Sequence, residues 1–261
     1  MKRVSIIIPA YNAASFIGDS VRSALTQTYP NKEIVVVDDG STDDTRAILE
    51  EYIKSGQIKY FYQENKGPAA ARNLGIKNSS GEFIAFLDAD DVWLPEKLKK
   101  QIDLFKNPKV GLVYSDMEFF GDKFPFKKYS EMTKGFYRGE AMRELIKRNF
   151  IPISSVVLRR EVFEMAGYFN EDFKRFPIGE DYELWLRVAR VFEVDFIPEA
   201  FVRYRIHAGQ MSHGRIKNYR TLTSIYKKFL RDPSFSQYRS ILRARYLENK
   251  LKFIIASIFS L

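Results

Sequence analysis

Residues 83–91 read F-I-A-F-L-D-A-D-D, an unbroken apolar run that stops at three carboxylates, Asp88, Asp90 and Asp91. With a Gly ahead of it and polar residues behind, so short a run reads as the buried central strand of an α/β sheet. Its carboxylates then stand at the strand's carboxyl end, the edge where open α/β sheets bind ligands. Asp88 and Asp90, one residue apart, can point to the same side and offer hard oxygen ligands to Mg²⁺ or Mn²⁺, and such an ion can hold a diphosphate. The alternative is that these residues cap a helix opened by Pro95 and Glu96. One Asp would suffice for a cap, so three favour metal or ligand work.

The same rhythm recurs on both sides of this strand. Residues 4–8 form a buried strand ending at Pro9, Ala10, Tyr11 and Asn12, and Ile17, Val21, Ala24 and Leu25 then recur at helical spacing. Residues 33–37 form a second strand that runs into Asp38 and Asp39. Ser41 or Asp43 is expected to cap the helix carrying Ile48, Leu49 and Tyr52. Asp38 and Asp39 again lie at a strand's carboxyl end, where a carboxylate can accept the ring N–H of a nucleobase. Residues 58–62 form a third strand, and Gly67 and Pro68 open a helix through Arg72 and Asn73. The free N–H groups of that helix start can meet an anion, and Arg72 can add a full charge; the alternative is an exposed helix residue. A helix over residues 95–105 and a strand over 110–114 complete a pattern that predicts βαβ units, hence a Rossmann-like, mainly parallel sheet with flanking helices.

Composition bounds the function. The 261 residues suit one large α/β domain with an appendage, and 45% hydrophobic content is ordinary for a folded globule. The absence of cysteine excludes disulfides, thiol catalysis and Cys-ligated zinc, and fits a reducing compartment. The N-terminal apolar run ends at Pro9, too short for a signal peptide, and no run approaches the ~20 apolar residues of a membrane-spanning helix. The net charge of +9 invites a nucleic-acid reading until it is located. From Arg215 onward there are 11 Lys and Arg against Asp232 and Glu248 alone, which leaves 31 basic and 31 acidic residues in 1–214 (42 less 11, 33 less 2). The excess therefore sits on a basic tail, and a chain-wide preference for polyanions, nucleic acid included, is unsupported.

P-A-Y-N, V-V-V-D-D-G-S-T-D-D-T, N-K-G-P-A-A-A-R-N-L-G and F-L-D-A-D-D, in this order over residues 4–95, resemble glycosyltransferase family 2. The likeness extends to about His207 through S-S-V-V-L-R-R-E-V-F (residues 154–163) and G-E-D-Y-E-L-W-L (residues 179–186). The resemblance implies a GT-A fold and transfer of a sugar from a nucleotide-sugar. It also implies roles. Pro9 and Tyr11 would border the base, Asp39 would accept its ring N–H, and Arg72 would contact base or phosphate. Asp88 would bind ribose or assist a metal, and Asp90 would ligate the metal directly. In the Glu180-Asp181 pair, Asp181 matches the base that takes the acceptor hydroxyl's proton, while Glu180 orients it or binds the acceptor. As plain structure, the same pair suits a first helical turn through the dipole. R-I-H-x-x-Q-x-S resembles a segment that closes over the diphosphate, so His207 would complete the metal site with Gly209 as hinge. His213 reads as a surface residue.

The expected organisation is a nucleotide-sugar half (1–110), an acceptor half of the same domain (111–214) and a basic helical extension (215–261). Residues 119–137, rich in Gly, Lys, Phe and Tyr, read as a plain loop or an acceptor-shaping lid. The expected activity is a metal-dependent, inverting glycosyltransferase using Mn²⁺ or Mg²⁺. A UDP-sugar is the foremost donor, with GDP-sugars open, and the acceptor is a glycan or lipid-linked hydroxyl. Alternatives are a nucleotidyltransferase, for which residues 9–16 lack a Gly-rich triphosphate loop, and an inactive nucleotide- or sugar-binding module. In the tail, Leu247, Leu251, Ile254, Ile258 and Leu261 follow a 4-3-4-3 rhythm. Such a stripe can pack on the body, pair with a second copy, or dock on an anionic membrane surface. The basic charge favours docking on the inner face of a membrane, with the enzyme otherwise cytoplasmic.

Overall fold

The computed structural model describes residues 1–133, 135–172, 179–209 and 215–258. The first half alternates as its hydrophobic rhythm dictates. In order come β1 (Val4–Ala10), α1 (Ile17–Leu25), β2 (Lys32–Asp38), α2 (Thr45–Lys54), β3 (Lys59–Tyr62), α3 (Pro68–Lys77) and β4 (Phe83–Phe86). Then follow β5 (Val92–Trp93), α4 (Lys97–Leu104), β6 (Val110–Gly121), α5 (Tyr129–Thr133), α6 (Met142–Lys147), β7 (Val157–Arg159), α7 (Glu161–Met165), α8 (Glu180–Val188) and β8 (Glu193–Ile206). Two further helices, α9 (Arg215–Arg231) and α10 (Arg239–Ile258), form the tail.

All eight strands share one sheet in the order β3-β2-β1-β4-β7-β6-β8-β5, so the expected nucleotide and acceptor halves are built on a common frame. The β3-β2-β1-β4 run is parallel, as is β6 with β8. β7 runs against both β4 and β6, and β5 runs against β8, which makes the second half mixed. Along β1 the side chains alternate between two cores. Ile6 and Ile8 join Val21, Leu49 and Leu98 from α1, α2 and α4, whereas Ile7 joins Ala71, Leu145, Trp185 and Tyr226 from α3, α6, α8 and α9.

One local expectation is corrected and two local alternatives are decided. The three carboxylates do not cap a helix, because β5 intervenes and α4 starts after Glu96 with no side-chain cap. The strand expected over 110–114 continues to Gly121 because β8 is long enough to pair with it throughout, with register shifts on both sides of Asp116. The start of the supposed loop at 119 is therefore sheet. Asp43, not Ser41, serves the start of α2: its Oδ1 accepts the Thr45 N–H at 3.0 Å, while Ser41 Oγ accepts the Asn12 N–H at 2.9 Å.

The tail is helical over its described length. α10 packs on α9 and α6, burying Leu242 and Asn249. Leu247, Leu251, Ile254 and Ile258 are exposed, so packing of that stripe on the chain's own body is excluded. Leu261 lies outside the described residues. Among the described residues no helix is long and apolar enough to cross a membrane.

Candidate active site

The parallel strands β1, β2 and β4 end at one edge, and the loops that follow them carry the first group of candidate residues. Pro9 is half-buried near the end of β1, in register with Val37, and Tyr11 just beyond it is 52% exposed. Asn12, with φ of 48°, turns the chain in the left-handed region that Asn tolerates, and its Oδ1 accepts the Thr42 N–H at 2.8 Å. The loops after β1 and β2 are thereby joined. Asp38 is buried and accepts from Tyr60 Oη at 2.7 Å and the Ser41 N–H at 2.8 Å. Asp39, also buried, accepts from Gln63 Nε2 at 2.6 Å and from the Lys66 and Gly67 N–H groups, each at 2.8 Å. It thus holds the turn that opens α3 while standing at the sheet edge expected for a base-binding carboxylate. Gly67 occupies the cap position with φ of 90°, and Pro68 starts the helix.

Arg72, one turn into α3, is buried, which rules out the exposed-residue alternative. Its Nη2 donates to Asp88 Oδ1 at 2.8 Å and its Nη1 to Glu180 Oε1 at 2.7 Å, and its guanidinium lies 5.6 Å from the centre of the Phe169 ring. The helix after β3 is in this way tied to the carboxylate loop and to α8. Both arms are engaged by carboxylates rather than turned toward an open anion site.

The three carboxylates of the central motif have separate surroundings. Asp88 pairs with Arg72, and its backbone is held by Ser20 Oγ, which donates to the carbonyl at 3.1 Å, and by Ser154 Oγ, which accepts its N–H at 3.1 Å. Asp90 Oδ2 lies 3.0 Å from His207 Nε2. Burial raises the Asp90 carboxyl above its ordinary range, the charge of Asp88 adds to this, and His207 opposes it. Asp91 is fully buried, accepts the Arg205 N–H at 3.1 Å, and is raised well above the usual range by burial and by its two acidic neighbours. It fixes the loop to β8.

Arg205 opens the R-I-H segment, but the sequence reading gave it no role of its own. Its Nε donates to the Asp90 carbonyl at 2.9 Å and its Nη2 to Asp19 Oδ2 at 3.2 Å, and it stacks over Phe16 and Phe120 at 4.9 and 4.5 Å. A signal was present: alternate residues of a strand share a side, so Arg205 and His207 belong together at the end of β8. The His207 ring packs on Phe16 with centroids 4.7 Å apart. Gly209 follows it and is exposed, whereas His213 lies outside the described residues.

The second carboxylate pair opens α8. Gly179 has φ of 102°, and a Cβ there would come within 2.7 Å of Thr221 Cγ2, so glycine is required both by conformation and by the close approach of α9. Glu180 is turned inward to Arg72. Asp181 is half-buried and its Oδ1 accepts the Tyr182 N–H at 2.6 Å. Burial pushes the Asp181 carboxyl up to about 7 and the charge of Glu180 adds to this, against the Tyr182 N–H and Arg72. Burial and the Asp181 charge both raise the Tyr129 hydroxyl, which places Tyr129, at the start of α5, within the field of Asp181. The segment expected as loop or lid thus lies within electrostatic range of the candidate base.

A carboxyl poised near neutrality and a carboxylate–imidazole pair are joined through Asp88, Arg72 and Glu180. Such a cluster can remove a proton at one end and hold anionic oxygens or an ion at the other.

A model described as glycosyl transferase family 2 matches residues 5–166. An uncharacterized glycosyltransferase of Rickettsia felis is 32% identical over 259 residues, covering 95% of this chain and 42% of that protein, so the chain spans less than half of that relative. The Escherichia coli protein named UDP-Glc:alpha-D-GlcNAc-diphosphoundecaprenol beta-1,3-glucosyltransferase WfgD is 34% identical over 233 residues, covering 88% of this chain and 87% of its own length. The crystal structure of Staphylococcus aureus TarS 1-349 in complex with UDP-GlcNAc superposes with a TM-score of 0.73 at 22% identity, over 97% of this chain and 73% of that one, and shares the GT-A fold. With the motif order, the sheet and these matches in agreement, the chain belongs to glycosyl transferase family 2.

Proposed function

We propose that this chain moves a sugar from a nucleoside-diphosphate sugar, foremost a UDP-sugar, to a hydroxyl of a diphospholipid-linked saccharide, with inversion at the anomeric carbon. The observation that carries the reading is Asp181, a half-buried carboxyl pushed up to about 7 beside Glu180 and within reach of the charges on Arg72 and Asp88. A general base works best when its pKa lies near the working pH. Asp181 in its ionised form takes the acceptor hydroxyl's proton as that oxygen forms its bond to the anomeric carbon and the bond to the leaving diphosphate oxygen breaks. Glu180 is committed to Arg72, so it acts as a positioning residue. Family membership favours sugar transfer over nucleotidyl transfer, and the name of the Escherichia coli relative supports both the UDP-sugar donor and the lipid-linked acceptor.

The residues present fit a divalent cation. A carboxylate oxygen of Asp90 and the Nε2 of His207 converge at 3.0 Å, a hard oxygen beside a borderline nitrogen, which suits Mn²⁺ and admits Mg²⁺. Asp88 stands next to this pair with one oxygen bound to Arg72. Among the described residues no three acidic or histidine side chains form a self-sufficient cage, so an ion held by Asp90 and His207 would draw its remaining ligands from the donor diphosphate and water. When bound, the ion offsets the charge that grows on the leaving diphosphate. Asp39 and Tyr11, at the ends of β2 and β1, frame the base. The test is a screen of nucleotide-sugars for Mn²⁺-dependent hydrolysis and for protection against thermal unfolding; UDP-sugars active in both assays support the reading, and inertness of every UDP- and GDP-sugar refutes it.

A further inference from the structure

We infer that the outer face of α10 is a docking surface for an anionic lipid bilayer. Leu247, Leu251, Ile254, Ile255 and Ile258 are between 44% and 61% exposed. At about 100° per residue they fall within an arc of roughly 100°, opposite Leu242 and Asn249, through which the helix packs on the protein. Five large aliphatic side chains held in water on one helix face form an apolar patch that a soluble surface does not need.

Charge selects the occupant. Arg239, Arg243 and Lys250 are exposed and border one edge of the apolar arc, with Lys252 on the other edge. The sole acid of α10, Glu248, is already bonded to Arg245 and Lys252. Residues 215–261 carry the chain's whole net charge of +9. A nucleic acid or a soluble polyanion would satisfy these cations and leave the aliphatic face in water. A second copy of α10 would cover the aliphatic face and set like charges against each other. The interface of an anionic bilayer supplies both partners, with acyl chains for the stripe and headgroup phosphates for its rims. This inference rests on α10 alone and not on the assignment of the sugar-transfer residues.

Cosedimentation of the whole chain with vesicles of equal parts phosphatidylglycerol and phosphatidylcholine tests it. At low salt the chain is expected to pellet with these vesicles and to stay in solution with pure phosphatidylcholine. Leu251→Asp with Ile254→Asp lowers the partition on the order of 100-fold, and Arg243→Glu with Lys250→Glu about tenfold or more. These side chains point to solvent, so an unchanged thermal midpoint and unchanged nucleotide-sugar hydrolysis without lipid accompany the loss. Failure to pellet at low salt, or equal pelleting of wild type and variants, overturns the inference. A dimer in solution that the Asp variants dissolve would also overturn it and assign the face to a second copy.

Discussion

Arg72 Nη1 donates a 2.7 Å bond to Glu180 Oε1, joining residues 108 apart in sequence through side chains that are 5% and 9% exposed. The same guanidinium holds Asp88, so one cation neutralises a carboxylate from each half of the sheet. Arg72→Ala leaves two carboxylates facing each other without it. Breaking a buried pair by removing one partner costs roughly 3–5 kcal/mol, and denaturant titration should show a loss of that size. A loss below ~1 kcal/mol would show that the two halves do not depend on this contact.

Asp181→Asn separates binding from chemistry. Asp181 is proposed to act on the acceptor and not on the donor, so calorimetric affinity for the donor nucleotide should be retained. Transfer should fall by roughly 10²-fold or more, the usual contribution of a general base. Transfer at the wild-type rate would remove Asp181 from that role.

The pH profile follows from the same carboxyl. The base works ionised, and burial with the Glu180 charge lifts its pKa to about 7, so the specificity constant should rise as pH increases through about 7 and fall below it. Glu180→Gln deletes the negative neighbour and should move that limb to lower pH. An unmoved limb in this variant would mean that another group titrates.

On the proposed assignment Asp90 and His207 would give an ion two ligands and the diphosphate would help to supply the rest, so metal and nucleotide should be reciprocally coupled. Mn²⁺ is expected to bind weakly to the chain alone and more tightly when nucleoside diphosphate is present. Asp90→Ala should abolish transfer and weaken nucleotide binding only in the presence of metal. Equal weakening with and without Mn²⁺ would count against the assignment.

The opposite end of the sheet governs acid stability. Glu33 accepts from Ser5 Oγ at 2.7 Å and the Ser80 N–H at 2.6 Å and pairs with Lys59 at 2.8 Å. Burial alone would raise it, but the bonds from Lys59, Ser5 and Ser80 prevail and hold it at about 2. Its folded value lies below its ordinary one, so its stabilisation is fully present above about 4.5 and is lost as pH falls through about 2. Glu33→Gln should remove roughly 2–3 kcal/mol at neutral pH and flatten the acid limb of a stability curve. A mutant curve parallel to the wild type would refute this.

The strands β1, β2 and β4 were readable in sequence because each holds a run of apolar residues, and β2 and β4 run on into the carboxylates Asp38 and Asp88 at the edge where the candidate residues gather. The extent of β6 was not, since Phe119, Phe120 and Gly121 carry no apolar alternation of their own and are strand only because β8 pairs with them. Arg72 looked like a residue facing an anion because local spacing shows its helix turn but not the distant Glu180. The 4-3-4-3 stripe in the tail was legible as a stripe, yet its direction depended on where α9 lies. Arg205 was hidden for a similar reason: its partners, Asp19, Asp90 and Asp91, come from two other segments.

Arg205 and His207 both reach the carboxylate loop because they are two apart on an extended chain that is anchored by the pairing of Val202 with Trp93. Parity is therefore the property under constraint. Insert or delete one residue between Val202 and His207 and the odd and even rows exchange, presenting Tyr204 and Ile206 to Asp90 in place of the guanidinium and the imidazole. Two residues, or one taken up in a bulge like those β8 makes opposite Asp116, would leave the rows in place. Length in this strand is thus quantised, and chains that keep this site should differ here by even steps or by a bulge.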